Sequence, residues 1–114
     1  MISTLSDLRI WAKALATGAL LSRRTQALRL RTRVAAQTPA LTFRYGLGIA
    51  EFNGFFGHDG SIFGYGSTMM YLPATGATLV ALCNEQSLAG NANALYLALG
   101  LAAYLYPERF PKGV

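Results

Sequence analysis

The chain has 114 residues, of which 53% are hydrophobic and 13% charged. That length and composition describe one globular domain with a real core, and they exclude an intrinsically disordered chain. The formal net charge is +5, and a single cysteine, Cys83, excludes an internal disulfide.

No charged-then-apolar signal segment opens the sequence. Thr4-Leu5-Ser6-Asp7 has the form of a capping box, in which hydroxyl and carboxylate each take a backbone N–H at a helix start. Leu8, Trp11, Ala12, Leu15 and Ala16 follow at helical spacing on one face, and Gly18 supplies a stop. Ser22 is placed to cap a second, short, basic helix over Arg23 to about Arg33. Pro39 ends whatever precedes it.

Five arginines, at 23, 24, 29, 31 and 33, lie within eleven residues with no acid among them. A solvated helix face is the simpler reading. The functional alternative is a non-enzymatic binding module that uses segment 23–33 on an anionic partner. Missing interleaved aromatics and missing helix-turn-helix or zinc spacing argue against nucleic acid.

From Leu41 the period becomes two: Leu41, Phe43, Tyr45, Leu47 and Ile49 alternate with smaller or polar residues, which predicts a half-buried strand. Asn53-Gly54 is a strong hairpin signal, because a type I′ turn needs positive φ at both central residues. Phe55 and Phe56 then lead into Gly57-His58-Asp59-Gly60-Ser61-Ile62-Phe63-Gly64-Tyr65-Gly66-Ser67. This stretch holds the only histidine and four of the twelve glycines. So many glycines mean a backbone that bends sharply or is closely approached.

A strand through Met70, a turn at Pro73–Gly76 and a strand ending near Asn84 complete a four-stranded antiparallel meander. Cys83 reads as a small buried hydrophobe. Asn91 or Asn93 is placed to cap a last helix, with Leu95, Leu99, Ala102 and Tyr106 on one face. The apolar run from Ala94 to Tyr106 is far short of the ~20 residues of a membrane span and reads as a buried core helix. The class is therefore α+β, an antiparallel meander flanked by N- and C-terminal helices that share one face.

The chemistry is sparse. One His and one Cys, far apart, cannot assemble a zinc shell. Five acids at scattered positions support no carboxylate pair, and no phosphate-loop or dinucleotide fingerprint occurs. Neither a metal nor a cofactor is expected.

The ordered set of local patterns carries a resemblance. It comprises Thr4-x-x-Asp7-Leu8 leading into Trp11-Ala12, Gly18-x-Leu20-Leu21-Ser22, and Tyr45-Gly46-Leu47-Gly48-Ile49. Then come Gly57-His58-Asp59-Gly60-Ser61-x-x-Gly64-Tyr65-Gly66-Ser67 and Pro73-x-x-Gly76 before Leu79-Val80. Together they resemble the C-terminal part of the serine β-lactamase-related hydrolases: class C β-lactamases, D-alanyl-D-alanine carboxypeptidases and related esterases. Such enzymes use a serine in Ser-x-x-Lys, a tyrosine in Tyr-x-Asn or Tyr-x-Ser, and Lys/His-x-Gly on a strand.

The third motif maps onto His58-Asp59-Gly60. No Ser-x-x-Lys exists, since Lys13 follows Ile10 and Lys112 follows Arg109 at that spacing. Tyr65-Gly66-Ser67 spells Tyr-x-Ser but lies after the third motif, where the resemblance implies strand.

The resemblance thus implies that residues 1–114 are a single partial domain of the penicillin-binding (DD-peptidase) fold, without the nucleophile-bearing region. Acyl-serine chemistry on an amide, lactam or ester substrate is implied, with an acyl-enzyme formed on a serine supplied from elsewhere. His58 would donate to a substrate carboxylate or to the tyrosine and serine network. Gly60 would let substrate lie against the strand, and the Ser61 N–H would serve the oxyanion hole. Asp59, grouped with His58, Gly60 and Ser61 as substrate-binding, would face away, its role open.

The chain alone is then expected to be inactive, and to seek the rest of its domain, a split-protein partner or a second copy. Full-length relatives are often exported. An under-covered edge near His58, with Phe55, Phe56, Phe63, Tyr65, Met69 and Met70 exposed, completes the expectation.

Overall fold

The computed structural model describes residues 2–31, 33–85 and 93–111. Its elements run α1 (Leu5–Thr17), α2 (Arg23–Arg29), β1 (Arg33–Gln37), β2 (Thr42–Tyr45), β3 (Ala50–Phe52), β4 (Phe55–Ile62), β5 (Tyr65–Leu72), β6 (Ala77–Cys83) and α3 (Asn93–Leu105). A 3-10 turn at Pro107–Arg109 follows. The strands form one antiparallel sheet in sequence order.

The local signals act as their chemistry dictates. The Thr4 hydroxyl accepts from the Asp7 N–H and the Asp7 carboxylate accepts from the Thr4 N–H, both at 3.1 Å. Gly18 closes α1 in the left-handed conformation, at φ 74°. Beyond that cap, the buried Gln26 amide donates to the Leu15 and Ala16 carbonyls at 3.0 and 3.1 Å. Thus α2 satisfies the orphan carbonyls at the end of α1. The Asn53-Gly54 turn has φ values of 50° and 90° and joins β3 to β4.

Six strands replace the four expected. The basic helix stops at Arg29, whose carbonyl accepts from the Leu47 N–H at 3.1 Å. Arg33 instead opens β1, an exposed edge strand paired only with β2 among the described residues. The arginine-rich segment is therefore divided between a helix and a sheet edge. The Leu41–Ala50 alternation also breaks, because Gly46-Leu47-Gly48 forms a turn closed by Gly46 N–H to Ile49 O at 2.8 Å. Gly48 sits at φ 67°, and Leu47 is thrown into solvent.

The two long helices cover opposite faces, not one. In a strand, neighbouring side chains point to opposite sides. Phe55, Met70 and Leu72 pack with Ala98 and Ala102 of α3, whereas Phe56, Met69 and Tyr71 pack with Ala12 and Ala16 of α1. The consecutive apolar pairs Phe55-Phe56 and Met69-Met70 each feed both layers.

The expected exposed edge narrows accordingly. Phe55 and Met70 are wholly buried, and Phe56 and Met69 lie half-buried under α1. Only Phe63 and Tyr65 of that group stand clear, at 94% and 60% exposure.

α3 is not a buried core helix. Ala94, Ala98 and Ala102, four residues apart, let it lie close on the sheet. Tyr96, Leu97, Leu101, Tyr104 and Leu105 form an exposed apolar outer side. Trp11 likewise sits at the rim of the buried face of α1 and is exposed. Asn93 is the first residue of α3; Asn91 lies outside the described residues.

Candidate functional site

All four residues singled out in the sequence lie on β4. β3 pairs with β4 only from Phe52↔Phe55 to Ala50↔Gly57. From His58 to Ile62, β4 is paired among the described residues on one side, with β5. Strand alternation and the register assign His58 and Gly60 to the α1 face, opposite Met69 and Ser67. Asp59 and Ser61 fall on the α3 face, opposite Thr68 and Gly66. By register Asp59 falls on the opposite face of β4 from His58, yet its carboxylate stays within 3.9 Å of the imidazole.

A cleft of about 620 Å³ lies across the ends of three strands, lined by Gly60, Ser61 and Ile62, residues 65–67 of β5, and residues 82–84. Its shape follows from the register Ser61↔Gly66↔Cys83. The middle position has no side chain, and Gly66 is buried against Ala94 of α3. Cys83, the last residue of β6, lines this cleft and is only partly buried. The reading of Cys83 as a buried hydrophobe therefore fails.

Gly57 and Gly60 have different reasons to be glycine. A Cβ on Gly57 would overlap the Met69 carbonyl oxygen, which is backbone and cannot turn aside. A Cβ on Gly60 would meet only the Ser67 Oγ, at 2.9 Å, and a hydroxyl can rotate. Packing thus demands glycine at 57 but not at 60.

His58 stands beside the cleft and is not among its lining residues. Its Nδ1 is 2.6 Å from the Asp59 backbone oxygen, and its Nε2 is 2.7 Å from the Tyr45 Oη. The Asp59 carboxylate is farther from Nδ1, at 3.9 Å. The tyrosine and imidazole rings meet edge to face, with centroids 5.6 Å apart. Sequence reasoning put Tyr45 on a strand and missed this contact. No local pattern announces it, since it depends on where the pairing of β3 with β4 ends, at Ala50↔Gly57, one residue before His58.

Among the described residues no three His, Cys, Asp or Glu side chains gather to hold a metal ion, and no helix is long and apolar enough to cross a membrane.

Comparison with known families gives a match to the family model described as Beta-lactamase over residues 1–104, which takes in every element from α1 to the last turn of α3. The chain belongs to the beta-lactamase family. Comparison with curated proteins gives no match. Membership of the beta-lactamase family relates the chain to serine hydrolases of small-molecule substrates. The α+β sheet with its flanking helices agrees with a part of that family's domain.

Proposed function

We propose that these residues form the strand wall of a serine acyl-hydrolase site, with the nucleophile and its lysine supplied from outside them. The reaction is acyl transfer from an amide, lactam or ester to that serine, followed by hydrolysis. The Ser61 N–H is one oxyanion donor, Gly60 gives substrate room against β4, and His58 stands at the start of the wall. Asp59, whose carboxylate lies 3.9 Å from His58 Nδ1, is the fourth substrate-binding candidate on the strand.

The observation that carries this reading is the cleft lined by Gly60 and Ser61 in a beta-lactamase-family chain that has no Ser-x-x-Lys. The glycine at 60, which internal packing does not demand, supports it. The arginine-rich segment has no comparable support as a binding face, being split between α2 and β1.

Activated nucleophiles need a base within hydrogen-bond reach, and no serine here has a lysine partner at family spacing. The 114 residues incubated with a fluorescent penicillin, or with a fluorophosphonate, are therefore expected to show no mass increase. Intact-protein mass spectrometry checks this. A stoichiometric adduct on any of the chain's serines overturns the reading.

A further inference from the structure

We infer that Tyr45 is a positioning residue of this site: its hydroxyl, 2.7 Å from Nε2 of His58, donates to the neutral ring and fixes the tautomer that carries the proton on Nδ1. A backbone carbonyl can only accept, so the 2.6 Å contact with Asp59 O requires the hydrogen on Nδ1. In the neutral ring Nε2 is then an acceptor, and the Tyr45 Oη at 2.7 Å is its donor. Both ring nitrogens are thereby occupied within the chain.

The fold builds this contact. β3 is three residues long and its pairing with β4 ends at Gly57, one residue before His58. Tyr45, the last residue of β2, reaches His58 past that end. Phe43 packs edge to face on the Tyr45 ring, with centroids 6.2 Å apart, and limits its swing.

The consequence concerns what the wall offers a substrate. In that neutral tautomer the His58 lone pair is taken up by the Tyr45 hydroxyl, and Nε2 has no proton to give a substrate carboxylate. Among the described residues no Lys, Arg, Asp or Glu lines the neighbouring cleft either. The group His58 acts through is the Tyr45 oxygen, which keeps acceptor capacity after donating its own proton. This consequence rests on the acyl-hydrolase reading above; the ring geometry does not, so the two fail separately.

The test uses the 114-residue chain, whose single histidine gives one set of imidazole signals. A long-range ¹⁵N–¹H spectrum at about pH 8, above the ordinary imidazole range, is expected to show Nδ1 protonated and Nε2 bare. Diethyl pyrocarbonate, which acylates a bare imidazole nitrogen, is expected to modify Tyr45→Phe about fivefold faster than wild type, as the loss of one neutral hydrogen bond implies. Thermal melting of the variant should stay near wild type, since Tyr45 is 40% exposed. A proton on Nε2 in the wild-type spectrum overturns the assignment, as does an unchanged carbethoxylation rate in a folded variant. Should Tyr45→Phe fail to fold, the wild-type spectrum alone decides.

Discussion

Gly57→Ala is expected to destabilise the chain by about 3 kcal/mol or more, the upper end for overpacking a rigid site. β4 and β5 pair from Phe56↔Tyr71 to Ile62↔Tyr65, and Gly57 lies opposite Met70 within that ladder. Its added methyl would be driven into the Met69 carbonyl, so the two central strands must part. Parting breaks ladder hydrogen bonds, each worth about 1 kcal/mol net. It also separates the strands that carry both Met70, in the α3 layer, and Met69, in the α1 layer. Chemical denaturation followed by far-ultraviolet circular dichroism checks this. Gly60→Ala serves as the comparison, expected to stay within about 1 kcal/mol of wild type because only a rotatable hydroxyl is met. Equal losses at both positions would contradict the distinction drawn between them.

Phe55→Ala is expected to cost about 3–5 kcal/mol, the range for removing a buried phenylalanine. Phe55 is wholly buried, with its ring centroid 5.6 Å from that of Tyr106 and 6.3 Å from that of Phe110. It joins the hairpin turn to the C-terminal segment, which Asn53 also ties down by donating to the Arg109 carbonyl at 2.9 Å. A cavity there loosens the sheet and the segment after α3 together. Against a total stability of about 5–15 kcal/mol for a domain, the loss is a large fraction. Phe56→Ala, beneath α1 and only half-buried, is expected to cost less. Melting of the two variants side by side reads the difference.

Much of the fold was legible because it is written locally. The capping box at Thr4 and Asp7, the left-handed Gly18 and the Asn53-Gly54 turn each depend on a few adjacent residues and occur where those residues stand. The placement of the helices was legible too, but in a signal read differently. Two adjacent large apolar residues on one strand, as at Phe55-Phe56 and Met69-Met70, mean that both faces of the sheet are covered. The glycines flanking Leu47 imitated alternation while making a turn, because a glycine fits a polar-out position and a positive φ equally well.

What the sequence hid is non-local. Gln26 completes α1 from 10 and 11 residues away, and Tyr45 reaches His58 across 13. Of the site, the placement of His58, Gly60 and Ser61 on a strand came with the resemblance to Lys/His-x-Gly, whereas the glycines alone announced a bend or a close approach. The absence of His58 from the cleft lining, and its engagement by Tyr45, follow from how far β3 pairs with β4, which no pattern in the residues states.

The most direct test of the acyl-hydrolase wall is the acylation rate of this chain assembled with a beta-lactamase-family segment that carries Ser-x-x-Lys, with and without the residue-61 N–H. Replacing that amide by an ester removes the donor and leaves the serine side chain in place. Labelling by a fluorophosphonate on the added serine is predicted to fall by about 10²–10³-fold in the ester form, the effect of losing one oxyanion donor. An ester form that acylates as fast as the amide, or a segment that acylates equally well without this chain, would contradict the account.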